Sequence, residues 1–221
     1  NMTLDAGRYT VVGGTGDDKI TAGSGAASIV GNGGNDVINL GSGAATVYGG
    51  AGDDKITAGS GAATIYGGGG ADTIEATTAA TDTTRYLITG GMSADNITVG
   101  QGNFTIDAVA GSGVDKVSII NATASSSYMI TGGVSNSMEL GAGHYTVAGG
   151  TGDDHFNVSG SQNVNLTLGA GNNTVESKTP AFNTVYNITA GGGTNDNDTI
   201  SIGDGSGSID LSVGGHVNFG C

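Results

Sequence analysis

Gly13–Val30 reads GGTGDDKITAGSGAASIV, Gly31–Tyr48 reads GNGGNDVINLGSGAATVY, and Gly49–Tyr66 reads GGAGDDKITAGSGAATIY. The unit is 18 residues long and splits into two nines. The first follows GGxGxDxIx and the second xGSGAAxUx, where U is a large apolar side chain. A fixed short period of this kind marks a stacked repeat, and each unit buries its apolar face only against its neighbours. Glycine suits the places where such a chain reverses, because it enters positive φ without a steric penalty.

Anchoring on the acidic slot extends the pattern to Asp18, Asp36, Asp54, Asp72, Asp95, Asp115, Asn136, Asp154, Asn173 and Asp198. The gaps between them are 18, 18, 18, 23, 20, 21, 18, 19 and 25 residues. Two residues after every slot stands an apolar side chain: Ile20, Ile38, Ile56, Ile74, Ile97, Val117, Met138, Phe156, Val175 and Ile200. Period-2 alternation adds Leu40, Val99, Ile119, Leu140, Val158 and Ile202 to the same inward face. A second column runs through Val11, Ile29, Val47, Ile65, Ile88, Val147, Leu166 and Ile188. Two inward columns and two turns per unit predict an all-β fold, a flattened parallel β-solenoid with two sheets and about ten coils of 18–25 residues. Residues 1–221 form one solenoid on this reading, with regular coils over 13–72 and irregular ones over 73–221. The longer gaps predict insertions at Glu75–Tyr86, Ile120–Tyr128 and Ser177–Tyr186, looping out from a coil edge. At about 4.8 Å per coil the rod is roughly 50 Å long.

Composition agrees. Gly supplies 45 of 221 residues, which excludes a helical bundle at about 1 kcal/mol per helical glycine. The single Pro and the lack of a three-residue glycine period exclude collagen. Six basic residues against 20 acidic ones give a net charge of −14, so nucleic acid and anionic membrane surfaces are excluded as partners and cations are favoured. No apolar run approaches the roughly 18 residues that cross a bilayer, so membrane insertion is not expected. Cys221 is the sole cysteine, and no internal disulfide can form.

GGTGDDKIT, GGAGDDKIT and a second GGTGDDHFN at Gly149–Asn157 carry every position of the repeats-in-toxin (RTX) nonapeptide. The sequence resembles that family closely over Gly13–Asp72 and more loosely on to Asp198. The resemblance implies a β-roll that binds Ca²⁺ between successive turns, of the kind found in bacterial surface-layer proteins and large adhesins. It also implies an extracellular, cell-surface setting reached without an N-terminal signal. The ligands it implies are Asp18, Asp36, Asp54, Asp72, Asp95, Asp115, Asp154 and Asp198, with turn glycines Gly13, Gly16, Gly49, Gly52, Gly149 and Gly152. The chemistry agrees, since Ca²⁺ takes six to eight oxygens from carboxylates and carbonyls. The sequence departs from the family pattern at the second nonapeptide, where Ala27, Ala45 and Ala63 occupy the acidic position. A single ion row along one edge is therefore expected, interrupted at Asn136 and Asn173.

Catalysis finds no support: His144, His155 and His216 are scattered and match no metal or nucleophile motif. Tyr48 and Tyr66 are expected to form a surface stack. Such a stack suits a sugar ring as well as a plain cross-strand pair, which leaves a cell-surface polysaccharide open as a partner. The turn positions lack a regular Thr or Asn array, which argues against ice binding. Asn1-Met2-Thr3 is not an initiator context, and neither end carries a polar cap. Leu4–Asp18 matches Leu140–Asp154 at 12 of 15 positions, so the first coil reads like an internal one. These features predict a non-enzymatic structural protein that stacks head to tail into a filament, sheath or surface layer, with Leu4, Val11, Phe219 and Cys221 at the junction. A passive module of a large adhesin or exported enzyme is the alternative, and a carbohydrate-binding or ice-binding solenoid the third.

Overall fold

The computed structural model describes residues 1–77, 81, 83–108, 113–160, 163–179, 184–191, 196–203, 206–210 and 216–219. All regular structure among them is strand. The chain opens with β1 (Met2–Thr3), β2 (Tyr9–Gly14), β3 (Lys19–Thr21) and β4 (Ala27–Gly33), and successive strands then alternate between two sheets. The first sheet holds twelve strands and the second eleven, each in strict coil order and wholly parallel. This is the expected two-sheet parallel solenoid. The ten slot-bearing coils form its body.

Register runs through the predicted columns. Ile20 pairs with Ile38, Ile38 with Ile56 and Ile56 with Ile74, and the column continues from Ile97 through Val117, Met138, Phe156 and Val175 to Ile200. Every one of these side chains is buried. The second column is longer than the sequence suggested, because Ile88 pairs with Ile106, Ile106 with Ile130 and Ile130 with Val147. Insertions on either side shift those residues out of the 18-residue frame, which hides them from a spacing argument. Leu40 and Ile202 are only half-buried, packed against the core near its margin.

Glycine allows the coils to touch at the turns. A Cβ on Gly43 would run into the backbone of Gly25 on the preceding coil, and one on Gly61 into that of Gly43. Parts of the predicted insertions at Glu75–Tyr86 and Ser177–Tyr186, including Pro180, lie outside the described residues.

Candidate metal edge

The GGxGxD turns stack into one edge of the rod. The slot side chains turn inward there: Asp36, Asp54, Asp72, Asp95, Asp115, Asp154 and Asp198 are each at most 3% exposed. Only Asp18, on the first slot-bearing coil, is half-exposed. Each slot residue's backbone N–H donates to the Oδ1 of the next slot. Asp18 N–H reaches Asp36 at 2.8 Å, Asp36 reaches Asp54 at 2.8 Å, Asp54 reaches Asp72 at 2.8 Å, Asp72 reaches Asp95 at 2.8 Å and Asp95 reaches Asp115 at 2.7 Å. The two asparagines join the same ladder, with Asp154 N–H on Asn173 Oδ1 and Asn173 N–H on Asp198 Oδ1, both at 3.0 Å.

The second carboxylate oxygen has no such partner. Oδ2 of Asp36, Asp54, Asp72, Asp95, Asp154 and Asp198 is buried without a hydrogen bond. Such an orphan acceptor costs about 1–3 kcal/mol, and more if charged. It also faces another acceptor: a Cβ on Gly31 would meet both Asp36 Oδ2 and the Gly49 carbonyl, and the same cradle recurs at Gly49 and Gly67. Gly13 repeats it with Asp18 Oδ2 at 2.7 Å and the Gly31 carbonyl at 2.6 Å from the built Cβ. Two oxygens turned toward one space call for something positive between them.

Asn136 supplies that positive group from within the chain. Its Nδ2 donates to the Gly149 carbonyl at 3.0 Å, the counterpart of the Gly49 carbonyl beside Asp36, and to Asp154 Oδ1 at 2.8 Å. Asn173 Nδ2 likewise donates to Asp198 Oδ1 at 3.0 Å and to the Gly171 carbonyl at 3.2 Å. At an aspartate the same place takes a cation or a proton. Burial pushes the carboxyls up accordingly: Asp54, Asp95 and Asp154 to about 6 and Asp72 to about 7, with Asp115 and Asp198 also raised. The residues fit calcium, which would be held by the orphan Oδ2 atoms and the turn carbonyls and would neutralise the ladder. Among the described residues no three acidic, His or Cys side chains cluster, so most of the oxygens must come from backbone.

Of the predicted glycines, Gly13, Gly49 and Gly149 form the carboxylate cradle, while Gly52 and Gly152 lie at φ of 120° and 92°. Gly16 does neither: it has open space around its Cβ direction and no positive φ. Leu4 is half-buried against the core and Val11 is buried. The side chain of Phe219, and Cys221 altogether, lie outside the described residues.

Two features escaped the sequence reading. The residue before each slot builds a second, exposed ladder of opposite polarity. Asn35 N–H donates to Asp17 Oδ1 at 2.7 Å, Asp53 N–H to Asn35 Oδ1 at 2.9 Å and Ala71 N–H to Asp53 Oδ1 at 2.8 Å. The recurrence of Asp or Asn at that position was its visible signal. The second feature is on the opposite edge, where Ala27, Ala45 and Ala63 pack as the expected small residues and are followed in register by Tyr86, Phe104, Tyr128 and Tyr145. Those four rings stack at centroid spacings of 4.6, 5.6 and 4.9 Å. Tyr86 OH donates to the Gly59 carbonyl at 2.9 Å and Tyr128 OH to the Gly100 carbonyl at 2.7 Å. Hydroxyls and rings close this edge in the irregular coils. The Tyr48–Tyr66 surface stack is present, at 4.7 Å and 6° between planes.

The family model for the RTX calcium-binding nonapeptide repeat (4 copies) matches residues 12–47 and 39–74. The chain carries an RTX-type β-roll. Its regular coils are the matched ones, and the RTX slot geometry continues without a break to Asp198. RTX nonapeptides are calcium-binding motifs, so Ca²⁺ is the cofactor of this β-roll. Such repeats are typical of secreted bacterial proteins and suggest an extracellular location. No curated protein and no solved structure matches the chain.

Proposed function

We propose that this RTX β-roll is a non-enzymatic structural element of the bacterial cell surface. Calcium along the GGxGxD edge orders it, and coil-on-coil stacking extends it into a filament, sheath or surface layer. The observation that carries the reading is the outer side of β2. Tyr9–Gly14 ends its sheet among the described residues and pairs on one side only, with β4. Its coil, Leu4–Asp18, repeats at 12 of 15 positions the internal coil Leu140–Asp154, whose strand His144–Ala148 pairs on both sides. An edge built like an interior strand accepts another parallel strand, and head-to-tail contacts of that type form open polymers. The placement of acidic groups one per coil, instead of in a convergent cluster, also supports a scaffold.

Sedimentation velocity and negative-stain electron microscopy, with and without calcium, test this. Polymers several rods long that form in millimolar calcium and dissociate in chelator are expected. A folded monomer at every calcium concentration would overturn assembly and favour the passive RTX module.

A further inference from the structure

The second sheet carries a trench on its outer face. The inner position of its coils reads Tyr9, Ala27, Ala45, Ala63, Tyr86 in register, so three alanine coils lie between two tyrosine coils. A methyl group fills far less space than a phenol ring, and the surface dips over those three coils. The depression has a volume of about 750 Å³, and Arg8 and Arg85 stand at its two ends. They are the only arginines of the chain. Both are exposed and neither forms an ion pair among the described residues, whereas Lys55 and Lys116 on the other sheet face Glu75 and Glu139.

We propose that this trench binds an extended acidic glycan. The arginines sit four coils apart, about 19 Å at the inter-strand spacing. Between them Thr10, Ser28, Thr46 and Thr64 line the trench, one hydroxyl per coil, at a step close to the advance of a pyranose unit in an extended chain. Carboxylates on the glycan meet the two guanidinium forks, which suit planar anions. Ring hydroxyls meet the Ser/Thr row. Tyr48 and Tyr66 stand two residues beyond Thr46 and Thr64 on the same outward face and offer an apolar rim for a sugar's C–H face. An acidic peptide is less suited, because the strands under the trench are already paired on both sides and leave no free backbone edge. The surrounding charge of −14 makes the two arginines the local basis of anion selection.

The test is isothermal titration of the folded chain at fixed calcium with tetragalacturonate, maltotetraose and hexaglutamate. Tetragalacturonate should bind, and maltotetraose and hexaglutamate should bind at least about tenfold more weakly. Arg8→Gln and Arg85→Gln should each weaken tetragalacturonate about fivefold. Ala44→Phe, which fills the trench from an exposed position, should abolish binding with an unchanged circular dichroism spectrum. Lys116→Gln on the opposite sheet should change nothing. Three results would overturn the proposal: no binding of tetragalacturonate, equal binding by both arginine variants (calcium bridging at the aspartate edge), or hexaglutamate binding as tightly as the glycan.

Discussion

Asp54→Asn should change the sign of its effect with calcium. In the chelated protein Asp54 Oδ2 is buried without a partner, close to the Gly67 carbonyl. The native Asn136 shows what an amide does at this position, with Nδ2 bonds of 3.0 and 2.8 Å to a turn carbonyl and to the next slot. Replacing an orphan acceptor by a satisfied donor is worth about 1–3 kcal/mol. For a chain of this size each kcal/mol moves the midpoint by about 2–4 °C, so in chelator at pH 7.5 the variant should melt higher by several degrees. In calcium the variant loses a carboxylate ligand, so it should bind at least one ion fewer and melt below the wild type. The gain in chelator should shrink at pH 5, because burial already raises Asp54 to about 6 and a proton then takes the amide's role. Differential scanning calorimetry in chelator and in calcium, with calcium stoichiometry by titration, reads all of this. Destabilisation in both conditions, or an unchanged ion count, would refute the reasoning.

The same carboxyls fix the pH dependence of the metal-free protein. Asp54, Asp72, Asp95 and Asp154 sit at about 6 to 7 when folded against 3.8 as the ordinary value, so the folded state holds more protons than the unfolded one in between. Its stability is therefore full below about pH 4 and lost as pH rises toward 7, the reverse of ordinary acid denaturation; urea midpoints in chelator at pH 4.5 and 8 should fall in that order. Gly49→Ala should abolish calcium-dependent folding of the regular coils, since its Cβ overlaps Asp54 Oδ2 and the Gly67 carbonyl, while Gly16→Ala should leave the melting temperature within about 2 °C. Tyr128→Phe should cost about 1 kcal/mol and Tyr128→Ala about 3–5 kcal/mol, equally with calcium or chelator, because the aromatic edge owes nothing to metal. Hydrogen exchange in chelator should accordingly protect residues 103–147 more than residues 19–69.

The fold was legible because its determinants are local and periodic. Ile20, Ile38 and Ile56 announce a column by spacing alone, and the Gly pairs announce the turn. The slot positions were equally plain. What the aspartates do was only half visible: sequence places a carboxylate at each turn, but not that one oxygen joins a backbone ladder while the other is left facing a carbonyl. The asparagines read as gaps in an ion row, whereas Asn136 bridges the coils itself. The aromatic edge was missed because Tyr86, Phe104 and Tyr128 follow insertions of unequal length, and only the sheet register aligns them with Ala63. The trench beside it was invisible for the same reason.

The central claim is that calcium occupies one edge of this rod and that a side-chain amide replaces it where the slot is asparagine. Anomalous difference density from crystals grown in calcium tests that most directly. Peaks should line the GGxGxD edge between Asp18 and Asp95, with none between the Asn136 side chain and the Gly149 carbonyl and none along the AGSG edge. Ions on both edges, an ion in place of the Asn136 bond, or an empty edge in saturating calcium would contradict the account.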